Sequence, residues 1–308
     1  PHNLKEVVQA TIGLLDSPKL SIKDLMSFIP SPDFPTKAEI ISSKEEIEEI
    51  YTSGRGSIKL RATYEIENGE IVINSLPYQI SSSKILEQIA SQIDSKKITM
   101  IEDLRDESDE TNPVRIIISP RSNRIDKNAL MSHLFATTEL QKNVRVNLNA
   151  IGLNGKPRVF DLKGILKEWI KFRTETVKRR LQHRLDWVND RLHILDGLLK
   201  AYLNLDEVIK IIRTHDEPKK ALMKKFKLSE IQANAILDIR LRQLAKLEEE
   251  AILSEKKDLS SEAKEIEKIL GSSSRLKTLL KKELKEDLEE YGDARNSDLV
   301  EAEEAKAF

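Results

Sequence analysis

The sequence contains no cysteine, few aromatic residues and no long apolar run. The absence of cysteine from 308 residues excludes disulfide scaffolds, thiolate metal sites and cysteine nucleophiles. Aromatic residues make up 5% of the chain and charged residues 33%, a composition that suits long solvent-exposed helices better than a β-sandwich. No apolar run approaches the ~18 residues that a membrane span requires. We therefore expect a cytoplasmic protein with no membrane contact.

The formal net charge is −1, so no global field marks the chain as a nucleic-acid binder. The charges are nevertheless unevenly distributed, because residues 158–200 are net basic and residues 248–292 are net acidic. A length of 308 residues predicts two or three domains. The chain opens with Pro-His-Asn-Leu rather than methionine, which indicates an internal piece of a longer protein.

Residues 1–157 alternate between helical and strand patterns. Asn3 and Ser43 stand where helix N-caps are expected, and Gly54 follows the second helix as a stop signal. Asn68-Gly69 lies between two β-rich runs and predicts a type I′ hairpin. The fold class expected for the chain is α+β, with a mixed α/β domain over residues 1–157.

Apolar residues at alternating spacings of three and four predict long coiled-coil helices after residue 158. The first run is Val177, Leu181, Leu185, Val188, Leu192, Leu195 and Leu199. The second is Leu259, Ala263, Ile266 and Leu270, then Leu280, Leu284, Leu288 and Tyr291, interrupted at Gly271. We expect the arms 158–203 and 251–292 to pair as an antiparallel hairpin, basic against acidic, with a helical segment 204–250 at its tip and a tail 293–308. Two unrelated solvated helices are the alternative.

The tip contains a segment with two apolar faces. Ser229 and Gln232 form a capping-box pattern, and a helix over 229–247 would place Leu228, Ile231, Ala235, Ile236 and Ile239 on one side. Its opposite side would carry Ala233, Leu237, Leu241 and Leu244. Either the tip covers both faces internally, or the second face meets another copy of the chain across a two-fold axis. We favour the second interpretation and assign the dimer contact to the latter four residues.

Several motifs, in order along the chain, resemble the A subunit of bacterial type IIA DNA topoisomerases. They are "PHNL", "SPDFPTKAEII", "SGRGSIKLRA", "LRDESDE", "HLFATTELQ" and "QANAILDIRLRQLAKLEEE". "LAKLEE" and "PRSNRID" look more like the topoisomerase IV branch than the gyrase branch. The resemblance implies that residues 1–157 form the tower domain and that the arms lead to an exit gate (C-gate) at 204–250, where the A subunits form a homodimer.

The same resemblance implies an assembly of two A and two B subunits that acts on duplex DNA at the chromosome. Mg²⁺ and ATP are expected on the B subunits, with no cofactor in this fragment. The family's nucleophilic tyrosine lies upstream, within an Arg-Tyr pair. None of the five tyrosines here follows an arginine, so we expect no catalytic residue in the chain and no DNA cleavage by it.

Two basic segments are candidates for contact with the DNA backbone. Arg55, Lys59 and Arg61 lie in the glycine-containing "SGRGSIKLRA", where the glycines would permit close backbone approach. Arg121 and Arg124 lie in "SPRSNR". For both segments, turns with solvated charges are the alternative.

Other chemistry is weakly indicated. The acidic cluster at residues 102–110 lacks EF-hand spacing, and we expect a structural loop with Arg105 paired internally rather than a metal site. The five histidines are scattered, and no metal ligands are assigned. Besides the topoisomerase fragment, the alternatives are a gyrase A subunit, a coiled-coil scaffold with no DNA role, and a metal hydrolase that uses the acidic cluster.

Overall fold

A computed structural model describes residues 1–308 with the exception of the Leu247 side chain. The chain divides into two compact units: unit 1 comprises Pro1–Lys171 and Lys281–Phe308, and unit 2 comprises Phe172–Leu280. This division passes through both predicted arms, because Leu162 and Leu166 at the start of the first arm are buried in a core of unit 1. No helix of the described chain is long and apolar enough to cross a bilayer.

Helices and strands alternate in unit 1, as the sequence predicts for an α+β fold. The helices of the whole chain are α1 (Leu4–Asp16), α2 (Ile22–Leu25), α3 (Lys44–Ser53), α4 (Ser82–Asp94), α5 (Lys127–Thr137), α6 (Leu162–Leu203), α7 (Leu205–Thr214), α8 (Pro218–Phe226), α9 (Glu230–Leu237), α10 (Lys246–Leu270) and α11 (Ser273–Tyr291). The strands are β1 (Glu39–Ile40), β2 (Arg55–Arg61), β3 (Tyr64–Glu67), β4 (Glu70–Ile73), β5 (Ile101–Asp106), β6 (Ile116–Pro120), β7 (Gln141–Asn147), β8 (Asn149–Ile151) and β9 (Pro157–Val159).

The strands form three antiparallel sheets. One has the order β1-β2-β7, the second β3-β4-β6-β5, and β8 and β9 form a separate hairpin. Each of the two larger sheets buries one face in its own apolar core: Ile58 and Leu60 belong to the first core, and Ile71 and Ile118 to the second. The opposite face of β2 and β7 carries polar residues, whereas Val72 and Ile117 on the opposite face of the second sheet are also buried.

The local signals in the first half are confirmed. The Asn3 side chain accepts a hydrogen bond from the Glu6 backbone N–H and begins α1, and Ser43 begins α3 with a complete capping box. Gly54 ends α3 in the left-handed region at φ 76°. Asn68 and Gly69 both have positive φ, 50° and 84°, as a type I′ turn requires.

In unit 2 the two predicted arms pair in antiparallel fashion. Arg184 contacts Glu262 at 2.6 Å and Arg191 contacts Glu255 at 2.7 Å. Residue numbers therefore increase along one helix while those of the contacting residues decrease along the other. The seam between them buries Leu185, Val188 and Leu195 against Leu259, Ala263 and Ile266. These ion pairs are half-exposed and contribute at most about 1 kcal/mol each, so the apolar seam supplies the stability. The predicted interruption at Gly271 is also present, between α10 and α11.

The predicted helix over 229–247 is wrong in its extent. The Ser229–Gln232 capping box is present, but α9 ends at Leu237, and a 3-10 turn over Leu241–Leu244 follows before α10. The Gln243 side chain accepts the Arg240 backbone N–H at 2.8 Å. A second capping interaction thus begins a separate turn where the sequence predicted one continuous helix. The apolar periodicity did not reveal this break.

Candidate nucleic-acid interface and candidate gate surface

The outer face of the β1-β2-β7 sheet carries three of the five predicted DNA-contacting residues. Arg55, Lys59 and Arg61 alternate along β2 with the fully buried Ile58 and Leu60, because successive strand residues point to opposite faces. The structure therefore places these three cations together on one side of unit 1.

Strand β7 adds polar residues to the same face. In the antiparallel register Ser57 lies opposite Arg145, Lys59 opposite Asn143 and Arg55 opposite Asn147, and directly opposed residues share a face. Arg145, Asn143 and Asn147 are all exposed. We call the set Arg55, Ser57, Lys59, Asn143, Arg145 and Asn147 the basic face.

Sequence reasoning missed the contribution of β7. In "QKNVRVN" the polar Asn143, Arg145 and Asn147 alternate with Val144 and Val146, which is a signal of one solvated strand face. The identity of the partner strand, 80 or more residues away in the chain, could not be read from that alternation. Arg145 is therefore identified as part of the basic face only through the pairing of β7 with β2.

The two glycines of "SGRGSIKLRA" serve internal packing rather than ligand approach. A Cβ on Gly54 would lie 2.1 Å from the carbonyl oxygen of Phe160, and one on Gly56 would lie 2.4 Å from Cγ1 of Ile50. Neither separation is compatible with a side chain. The glycines thus let β2 lie close to α3 and to the chain after β9, and they fix the strand that carries the basic face.

The cations of this sheet differ in availability. Arg55 is exposed, and the Lys59 ammonium lies 3.6 Å from the Glu46 carboxylate with both side chains about half exposed. Arg61 is held within the chain: it donates to Oε1 of Gln141 at 2.9 and 2.7 Å and to the Glu303 carbonyl oxygen at 3.0 Å. Burial lowers the pKa of Arg61 from its ordinary value, although the group stays cationic.

Arg121 and Arg124 do not belong to this sheet. They lie in the connection between β6 and α5, which follows the second sheet. Arg121 donates from Nε to the carbonyl oxygen of Ile101 at 3.4 Å, and Arg124 is exposed. The structure thus separates the two predicted basic segments into different sheets of unit 1, and the assignment of Arg121 and Arg124 to DNA contact stays a prediction.

The acidic segment is organised by arginines. Arg105 contacts Glu70 at 2.9 Å, Asp103 at 3.2 Å and Glu107 at 2.8 Å, which confirms its internal pairing. Hydrogen bonds from Arg105 and Ser119 lower the pKa of Glu70. Among the described side chains, no three histidine, aspartate or glutamate residues converge as metal ligands.

The tip of unit 2 presents apolar side chains, but in a different arrangement from the predicted one. Ala233 is fully buried. Its neighbour Gln232 packs directly on Gly197 of α6, where an added Cβ would lie only 2.7 Å from Cβ of Gln232. α9 therefore lies so close to α6 that Ala233 cannot touch a second copy, which corrects its assignment to the dimer contact. Ile231, predicted on the covered side, is instead 60% exposed.

The remaining predicted gate residues are at least partly accessible. Leu241 is 86% exposed and Leu237 37%, while Leu244 is half-buried. The Tyr202 hydroxyl donates to the carbonyl oxygen of Gln243, so the end of α6 adjoins the 3-10 turn. Leu203 next to it is 75% exposed. We call Leu203, Leu237 and Leu241 the gate surface.

An apolar cavity of about 580 Å³ opens in unit 1 between α1, the start of α6 and the end of α11. Leu4, Trp169 and Tyr291 are large, exposed lining residues, and His2, Asp287 and Tyr291 are the titratable ones. Burial lowers the pKa of His2 to about 4, so its ring is neutral at physiological pH.

Unit 1 thus exposes a basic sheet face, and unit 2 is a paired helical hairpin with exposed apolar side chains at its tip. The chain belongs to the family of DNA gyrase and topoisomerase IV A subunits, whose profile matches residues 1–285.

Relatives within that family are similar over nearly the whole chain. The A subunit of DNA topoisomerase 4 from Haemophilus influenzae is 56% identical over 306 residues, which are 99% of this chain and 41% of that protein. The proteins of the same name from Escherichia coli K12 and Pseudomonas aeruginosa are 55% and 56% identical over 308 residues, again 41% of each. The chain therefore spans about two fifths of the length of these relatives.

Proposed function

We propose that this chain supplies the DNA-flanking tower and the exit gate of the A subunit of an ATP-dependent type IIA topoisomerase of the topoisomerase IV branch. Such an enzyme is an isomerase that relaxes supercoils and separates linked chromosomes in the cytoplasm. The family match and more than 50% identity over the whole chain support the branch and disfavour the gyrase and scaffold alternatives.

The observation that carries the DNA role is the basic face of unit 1. Arg55, Lys59 and Arg145 project from two paired strands on the exposed side of the sheet. Arginine, lysine and asparagine side chains bind phosphate oxygens without reading base sequence. This geometry supports a backbone contact that holds duplex DNA beside the tower independently of its sequence.

The chemistry of strand cleavage is assigned elsewhere. Tyr51 is fully buried and burial raises its pKa, so it is a poor nucleophile, and none of the five tyrosines follows an arginine. In the proposed assembly, two A subunits join two B subunits, and the B subunits hold Mg²⁺ and ATP. The role of this chain is mechanical and electrostatic.

The gate surface is the proposed contact between two copies. Leu203, Leu237 and Leu241 expose apolar area at the tip of unit 2, and burial of such area stabilises association by about 25 cal/mol per Å². A gate has to reopen, so a contact of modest area suits it better than a large obligate interface.

A duplex-binding measurement tests the DNA role. The triple variant Arg55→Ala/Lys59→Ala/Arg145→Ala is expected to weaken binding of a short labelled duplex roughly tenfold or more at low salt, and to flatten the salt dependence by about three counterions. Lys5→Ala/Lys19→Ala/Lys97→Ala removes equal charge from exposed positions of unit 1 outside this sheet and serves as the control. If both variants weakened duplex binding equally, the binding would depend on net charge and not on the basic face. That result would favour the scaffold alternative.

A further inference from the structure

The chain after α11 returns to unit 1 and is firmly anchored there by its first residues. Asp33 accepts the backbone N–H groups of Asn296 at 3.0 Å and of Ser297 at 2.7 Å. The Ser297 hydroxyl accepts the Phe34 N–H at 3.2 Å, and Ser297 is fully buried. Residues 293–297 are therefore an integral part of the unit.

The following residues run along the edge of the sheet that carries the basic face. The Ile40 N–H donates to the Asp298 carbonyl at 2.8 Å, and the Val300 N–H donates to the Ile40 carbonyl at 2.9 Å. Because Ile40 lies in β1, the outer strand of the β1-β2-β7 sheet, this segment covers the edge of the sheet. The chain then continues as residues 301–308, which we call the strap.

The strap is held by backbone hydrogen bonds, by the Phe308 ring and by Ala305, which packs against the second core. The Glu303 carbonyl accepts from Arg61 at 3.0 Å, the Lys306 N–H donates to the Ser132 hydroxyl at 2.9 Å, and the Phe308 N–H donates to Nδ1 of His133 at 3.0 Å. The Phe308 ring stacks on His133 with centroids 4.5 Å apart. Phe308 is still 65% exposed, and single hydrogen bonds at a surface contribute only about 1 kcal/mol each.

The strap occupies a hydrogen-bond donor of Arg61, a cation on the same face of β2 as Lys59. Arg61 Nη2 donates to both Gln141 and the Glu303 carbonyl, and the guanidinium lies 4.7 Å from the centroid of the Phe135 ring. A peptide carbonyl oxygen is a neutral acceptor, whereas a phosphate oxygen accepts a shorter and stronger charge-assisted hydrogen bond. A phosphate that reached Arg61 would therefore displace the carbonyl.

The strap also brings negative charge to this sheet. Glu301, Glu303 and Glu304 are exposed, and Glu303 is the residue whose carbonyl touches Arg61. Charges within about 8–10 Å interact without full screening at physiological ionic strength. The strap thus combines a carbonyl that occupies an Arg61 donor with an excess of carboxylates, three against the one ammonium of Lys306, which opposes the approach of a polyanion.

We infer that residues 301–308 are an autoinhibitory strap over the edge of the basic face, which duplex DNA displaces when its backbone engages Arg61. This inference rests on the proposed DNA role of the basic face. It makes Arg61 a conditional contact, available only after the strap has left, whereas Arg55, Lys59 and Arg145 make the first encounter.

Charge neutralisation of the strap tests the inference in the full chain. Glu301→Gln/Glu303→Gln/Glu304→Gln leaves every strap hydrogen bond described above intact, because those bonds use backbone atoms of the strap. It is expected to tighten binding of a short duplex roughly threefold or more at low salt. Asp258→Asn/Glu267→Gln/Glu289→Gln removes equal charge from exposed positions of α10 and α11 and is expected to tighten binding less than the strap variant.

Hydrogen exchange gives a second readout that does not depend on net charge. The Lys306 and Phe308 amides, protected by Ser132 and His133 in the free protein, are expected to exchange faster when DNA saturates the protein. Protection of Ser297, in the anchor, is expected to stay unchanged.

The outcomes separate the two proposals. If the basic-face variant loses affinity while the strap variant binds as the wild type does, or if exchange at Lys306 and Phe308 is unchanged by DNA, the strap inference is overturned and the DNA face stands. If the variant of Arg55, Lys59 and Arg145 binds duplex with wild-type affinity, the DNA face is wrong, and the strap inference falls with it.

Discussion

Arg295 and Glu6 form a two-pronged ion pair that joins the last segment of the chain to its first helix. Nε of Arg295 lies 2.9 Å from Oε2 of Glu6 and Nη2 lies 2.5 Å from Oε1, and both side chains are mostly buried, at 14% and 16% exposure. Arg295 also donates from Nη1 to the Ser31 hydroxyl and to the Pro32 carbonyl, both at 3.0 Å. This side chain and Asp33 together therefore fix the return of the chain to unit 1.

Truncation of this arginine is expected to destabilise unit 1 markedly. Arg295→Ala leaves the Glu6 carboxylate mostly buried without its cation, which costs about 2–4 kcal/mol in unfolding free energy. Arg295→Lys keeps the charge but loses the two-pronged geometry, so an intermediate loss is expected. Urea unfolding followed by Trp169 fluorescence in a Trp187→Phe background reports on unit 1. Arg124→Ala, at an exposed position, is the control, and a loss at Arg295 no larger than at Arg124 would contradict the prediction.

A pH dependence follows from the histidine near the amino end. The pKa of His2 is lowered to about 4, chiefly by burial, and its Nε2 lies 3.0 Å from the Tyr51 hydroxyl. Because the unfolded chain binds a proton near pH 6.5 and the folded chain does not until about pH 4, the stability is complete above pH 6.5 and falls as the pH drops through this window.

The expected loss from His2 between about pH 7 and pH 5 is about 2 kcal/mol in unfolding free energy. His2→Gln retains a hydrogen-bonding side chain without the titration, so its stability should change less over that interval. Carboxylates that titrate in both proteins cancel in the comparison. Urea unfolding of the two proteins at several pH values across that interval measures the difference, and parallel pH profiles would show that His2 does not titrate as argued.

The elements that sequence predicts well are those encoded by neighbouring residues. The cap at Asn3, the capping boxes at Ser43 and Ser229, and the Asn68-Gly69 turn each depend on side chains within a few positions of the backbone groups they satisfy. The arms were also predictable, because a sustained apolar seam specifies both the helix and the need for a partner.

The elements that sequence did not reveal depend on contacts between distant segments. Arg145 joins the basic face only because β7 pairs with β2. The return of residues 293–308 to unit 1 rests on contacts of Asp33 and Arg295 that span more than 260 positions of the chain. Within the tip, Ala233 had the right periodicity for an exposed face, but the close approach of α9 to α6 at Gly197 buries it. Periodicity identifies a face without saying what covers it.

The gate surface yields the prediction most directly tied to the proposed assembly. Leu241 is 86% exposed on the 3-10 turn, so a glutamate is tolerated there in the free chain and the fold should be preserved. In a contact between two copies, the same carboxylate would be buried without a cation, which costs several kcal/mol. Leu241→Glu is therefore expected to convert a dimer into a folded monomer.

Sedimentation velocity measures whether the variant is a monomer or a dimer, and circular dichroism measures whether it is folded. Leu253→Glu changes a half-exposed leucine of α10 in the same unit and provides a matched control that should stay dimeric. A Leu241→Glu protein that sediments as the wild-type dimer would remove this leucine from the interface. Dissociation by both variants would indicate that copies associate through a wider apolar surface of unit 2, which Ile231→Glu, at a position 60% exposed on α9, would then help to delimit.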